Sequence, residues 1–62
     1  MNLDELILHI AMRYQDVHGN IREAIELVQG DVAAWGGYGV AVDNDAVHHA
    51  WVVVLGMAGI RV

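Results

Sequence analysis

No cysteine occurs in a chain of only 62 residues, and that combination narrows what it can fold into more than any motif does. A domain this short buries only ~60% of the surface that its unfolded form exposes. Domains of that size usually draw on a disulfide, a metal or a partner to supplement the core. Disulfides are excluded here, and so is a thiolate metal cage. What remains is apolar packing, within the chain or against another one. The stock for it is large: 56% of the residues are hydrophobic. Trp35, Trp51, Tyr14 and Tyr38 supply the wide rings. Each buried Trp removes ~200 Å² from water, worth roughly 5 kcal/mol before entropy is subtracted. So high an apolar fraction in so short a chain points to a surface that self-associates.

Serine, threonine, lysine, proline and phenylalanine are missing as well. With them go the hydroxyl nucleophiles other than the two phenols, and the amine of a side-chain Schiff base. Eight acidic residues against three arginines give a net charge of −5. A phosphate binder needs the opposite footprint, so nucleic acid and anionic membrane surfaces are disfavoured. The opening MNLDEL carries acid where a secretory signal would carry base. The longest apolar run, Ala50 to Ile60, is eleven residues. As a helix it reaches ~16 Å, about half of a ~30 Å hydrocarbon core. These features predict a cytoplasmic protein with no membrane span.

Composition divides the chain near Gly30. All three Glu and four of five Leu precede it; eight of ten Val and five of seven Gly follow it. One domain, 1–62, is therefore read as a helical hairpin over 1–30 and a Gly- and Val-rich half over 31–62. Asn2 as N-cap with Glu5 three positions on starts the first helix. Leu3, Leu6, Ile7, Ile10, Ala11, Tyr14 and Val17 then share an arc of roughly 140°. Glu5, His9 and Arg13 form an i, i+4, i+8 ladder opposite them. Leu8 and Met12 break this pattern as a second apolar strip one turn apart. His18-Gly19 breaks the helix, Asn20 caps the next, and Gly30 is expected to end it after Gln29.

Three glycines between Trp35 and Gly39 predict a bend that turns Trp35 and Tyr38 inward, and Val40–Val42 reads as a short strand. Asp43-Asn44-Asp45 suits either a hairpin turn or a helix cap. A 3.6-residue period gathers Asp45, His48, His49 and Gly56 on one side, so a helix is favoured over a Val-rich strand. Gly59 closes that helix, and Ile60–Val62 forms a last strand. The expected fold class is α+β: an αα-hairpin followed by a strand–helix–strand unit with parallel strands and a right-handed crossover. A dimer that continues the sheet would support strands so short. A hairpin plus small antiparallel β-meander and an all-α three-helix arrangement are the alternatives.

Few constellations carry chemistry. Asp45 lies one turn from His48 and His49, which allows a carboxylate–imidazole pair. Adjacent histidines diverge by ~100° around a helix, so they do not share a metal. Asp43-Asn44-Asp45 lacks the spacing, glycine and distal Glu of a calcium loop. Gly36-Gly37-Tyr38-Gly39 lacks the Lys and helix start of a phosphate cradle. The stretch His18 to Val28 places a Gly-Asn pair before an Ala-apolar-Glu-apolar-apolar run. It resembles the last helix of ubiquitin-associated domains, and also the Gly-Asn lead-in to the helix-turn-helix of Fis-type DNA-binding domains. The rest of neither pattern follows: Ile25 stands where Fis-type domains need a small residue, and Asp31 to Trp35 offers no basic recognition helix.

The expectation is a small acidic non-enzymatic protein–protein interaction module, an oligomeric regulator, inhibitor or adaptor, without cofactor or metal. Its partners are another protein and a second copy of itself, through Leu8, Met12, Trp35, Tyr38 and Trp51. A dimeric helix-turn-helix-like DNA-binding regulator and a small acid–base enzyme using Asp45, His48 and His49 are the other readings.

Overall fold

The structure, a computed structural model, describes residues 1–60. It is three α-helices: α1 (Leu3–Asp16), α2 (Ile21–Gly37) and α3 (Asn44–Met57). Each begins at a side-chain cap. Asn2 and Asn20 accept from the backbone N–H groups of Glu5 and Glu23, at 2.8 and 3.1 Å. Asp43 accepts from Asp45 N–H at 2.9 Å, so the Asp-Asn-Asp run starts a helix rather than turning a hairpin. Each helix also ends alike. Gly19, Val40 and Ile60 donate back to the carbonyls of Tyr14, Trp35 and Leu55, the six-to-one bond of a Schellman ending. Gly39 and Gly59 occupy the left-handed position that this ending requires, at φ 82° and 79°. After α1 that position falls to His18, at φ 55°.

The expected α+β class is wrong: among the described residues there is no strand, and the domain is all-helical. The error starts at Gly30, which does not end α2. Asp31, Val32 and Trp35, one turn beyond it, all bind to or pack on the rest of the domain. Those contacts outweigh the ~1 kcal/mol that a mid-helix glycine costs. The helix runs on through Gly36 and Gly37 and stops at Gly39 instead. Val40–Val42 is therefore the link between α2 and α3, with Val42 packed on the core. Of the expected closing strand, Ile60 is in no strand, and Arg61 and Val62 lie outside the described residues.

The core is small. Leu6 and Ile10 of α1, Ala24 and Val28 of α2, and Ala50 and Val54 of α3 are its fully buried side chains. Helix α1 is the shared wall: it packs on α2 along one side and more extensively on α3 along the other. Helices α2 and α3 make no close backbone approach to each other among the described residues. The result is elongated, 34 × 19 × 15 Å.

Candidate functional site

Because α2 and α3 make no close backbone approach to each other, a groove of about 610 Å³ opens between them. Ile25, Val28 and Val32 form its α2 wall, at i, i+3, i+7. Val47, Trp51 and Leu55 form the α3 wall at successive i+4 steps, with Val52 beside them. These spacings put each set on one helical face. Val28 is fully buried at the floor, while Ile25 and Val52 stand out at the rims. Gln29, Asn44 and His48 are the polar side chains of the lining, and among the described residues it holds no Asp, Glu or Arg. In a chain with eleven charged residues, this face is a neutral strip.

The opposite seam, between α1 and α2, is polar. Arg13 Nε donates to Asp31 Oδ2 at 2.8 Å, and a second guanidinium nitrogen reaches Oδ1 at 3.1 Å. His9 Nε2 lies 2.6 Å from Oδ2 of the same carboxylate. The His9 ring also meets the Trp35 ring edge-on, with centroids 4.7 Å apart. The Asp31 side chain is only 19% exposed, so these bonds replace most of its water. The Arg13 guanidinium holds the Asp31 carboxyl below its ordinary value against the opposing effect of burial. Asp31 in turn raises Arg13. A base and a carboxylate meet here. Asp31 is taken up in joining two helices, while Arg13 also lies 3.6 Å from Asp16 on its own helix. Among the described residues no nucleophile stands in that hydrogen-bonded cluster.

The five residues expected to bind a partner do not form one patch. Leu8 and Met12 stand out on α1 at 64% and 55% exposure, away from the groove lining. Tyr38 is 88% exposed just past α2 and does not turn inward. Trp35 packs on the core beside His9, whereas Trp51 both packs on the core and lines the groove. His48 lines the groove too; it, His49 and Asp45 are all exposed, and among the described residues the three share no ion pair. Nor does any group of three His, Asp or Glu there come together as a metal would need.

The reading from sequence missed Asp31 and the groove. Asp31 is 18 and 22 residues from its partners, beyond any local pattern. The groove had a partial signal, the i+4 apolar repeat Val47–Trp51–Leu55 on a helix whose inward face is Ala50 and Val54. No helix of the described residues is long and apolar enough to cross a membrane. No family model, curated protein or solved structure matches this chain.

Proposed function

We propose that this chain is a non-enzymatic protein-interaction module that works as an oligomer, with the α2–α3 groove docking a second copy of the chain. The observation that carries the proposal is the open, uncharged groove in a domain whose core is otherwise thin. A protein of 6.8 kDa is expected to expose about 3,950 Å². This one, elongated as it is, exposes 4312 Å², somewhat more than that scaling gives. A two-fold contact would cover the α2 and α3 faces that line the groove, contributed by helices of 17 and 14 residues.

Charge selects the occupant. A partner recognised by electrostatics would need charged groups to meet, and the lining offers none at neutral pH. A second copy approaching this face by a two-fold axis meets the same neutral strip, so the net charge of −5 is not concentrated at the seam. In that arrangement Val52 and Leu55 of each copy enter the groove of the other, completing a four-helix layer from two α2–α3 pairs. Apolar, charge-poor cores are characteristic of homodimer interfaces. Regulators, inhibitors and adaptors are the class of protein that such a module serves. A cytoplasmic location belongs to the same proposal, since a fold without disulfides loses nothing in a reducing compartment.

Sedimentation equilibrium at micromolar concentration tests it. The expected mass is twice 6.8 kDa. Val52→Glu on one rim and Ile25→Glu on the other are each expected to give a monomer of unchanged helicity. A monomeric wild type, or a dimer that survives both substitutions, would refute the proposal.

A further inference from the structure

We infer that the outer face of α1 is a second docking site, built for a cationic amphipathic helix of another protein. The face is a single line of side chains. Asp4, Leu8, Met12 and Asp16 follow one another at i+4 steps, so they stack along one side of the helix. Leu8 and Met12 stand 64% and 55% exposed in the middle, and Asp4 and Asp16 are exposed at the two ends. Glu5, also exposed, adds a second acid beside Asp4. Leu6 and Ile10, the buried side chains of α1, lie about 160° round the helix from this line, so core packing does not account for the apolar pair. Asp4 and Glu5 suit the start of a helix, but Asp16 is the last residue of α1, where the helix dipole opposes an acid. No residue of the line belongs to the groove lining, and the inference does not depend on what covers the groove.

Charge chooses the occupant. The cation of α1, Arg13, is bonded to Asp31 and lies 3.6 Å from Asp16. Asp4 and Glu5 make no ion pair among the described residues. A second copy laid on this face by a two-fold axis would set acid against acid at both ends, whichever way its α1 ran. Like charges brought face to face reject that partner. An anionic membrane surface or a nucleic acid is repelled for the same reason. The complement is a helix that carries Lys or Arg, two apolar side chains, and Lys or Arg again at the same i+4 steps. Its apolar pair meets Leu8 and Met12, about 6 Å apart along the axis, and its cations meet acids about 18 Å apart. The apolar contact supplies adhesion, while the exposed charge pairs set register and select the partner. The pliant Met12 side chain lets the face accept apolar residues of different shape.

The probe is an end-capped synthetic helix of about 20 residues, long enough to hold its own helicity. It is Ala and Gln except for two Leu four positions apart, with a Lys four positions before and after the pair. Titrated into the isotope-labelled full chain, it is expected to bind with a Kd below about 1 mM and to shift the amides of Asp4 to Asp16. Raising salt from about 0.05 to 0.5 M should weaken binding at least threefold. The same peptide with Glu in place of Lys should bind at least about tenfold more weakly. The double variant Leu8→Gln, Met12→Gln should lose at least about tenfold with helicity unchanged, and Asp16→Asn, which keeps both apolar side chains, about threefold. Absence of binding at about 1 mM peptide, or equal affinity for the Lys and Glu peptides, would overturn the inference. Shifts at Val52 and Leu55 in place of Leu8 and Met12 would overturn it too, by seating the peptide in the groove. A wild-type dimer that the Leu8→Gln, Met12→Gln variant abolishes would make a second copy the occupant instead.

Discussion

The two long sides of α2 show how differently one helix can be used. Toward α1 it is held by an ion pair and an aromatic edge, Asp31 with Arg13 and His9, and Trp35 on His9. Toward α3 it presents Ile25, Val28 and Val32 across an open groove. One side is closed by apolar packing in the core and by charge that is already satisfied; the other is left neutral and unfilled. The comparison teaches where unfinished packing sits. Charged groups close a seam only when each finds its partner within the chain, whereas a neutral apolar face has no internal need that prevents another chain from covering it.

The largest effect should come from the wall common to both sides. Ile10 is fully buried, and Ile10→Ala is expected to cost about 2–5 kcal/mol. A core of this size rarely supplies more than ~3–5 kcal/mol, so the variant should be largely unfolded by circular dichroism at 25 °C. Asp31→Ala breaks the closed seam alone. It removes a carboxylate held by two guanidinium hydrogen bonds, and the urea midpoint should fall measurably. Val52→Glu, on the open side, should leave the stability of the monomer within about 0.5 kcal/mol of wild type while abolishing association. Equal losses from these two variants would erase the distinction between the sides.

The closed seam also predicts a pH dependence. Because Asp31 is held below its ordinary value by Arg13, its contribution is full above the unfolded-state value of ~4. It is lost as pH falls through the lower folded value. Urea midpoints between pH 5 and 2 should therefore fall less steeply for Asp31→Asn than for wild type. The smallest effects are backbone ones. A Cβ at Gly30 meets no atom within 4 Å, so Gly30→Ala should stabilise α2 by about 0.5–1 kcal/mol. His18 sits at φ 55° where the other two helix ends have glycine, and His18→Gly should gain a few tenths of a kcal/mol up to ~1. If thermal unfolding shows Gly30→Ala to be destabilising, α2 does not run straight through from one side's contacts to the other's.

What could be read from the residues was local. Asn2, Asn20 and the 3.6-residue period of the third segment mark the starts and character of all three helices because caps and periodicity act within one turn. Gly30 misled because its cost is local while the contacts that override it are not; Asp31 reaches across to α1 one residue later. Val40–Val42 has strand composition, but its neighbours are helices, and three residues of β propensity decide nothing without a strand to pair with. The groove was the least legible part. Trp51 lines it, but Leu8 and Met12, which break the apolar pattern of α1, and Tyr38, expected to turn inward at the glycine bend, stand elsewhere. A groove exists because the two backbones stay apart, and no run of residues within either helix encodes that gap.

The central claim is that the open side of α2, not any other apolar surface, is where copies meet. Isotope-filtered NMR on a dimer mixed from labelled and unlabelled chains at pH 7.5 tests it directly. Contacts between copies are expected from the methyl groups of Val52 and Leu55 and from the Trp51 ring, and none from Leu8, Met12 or Tyr38. Intermolecular contacts at Leu8 and Met12 with none at Val52 and Leu55 would contradict the account.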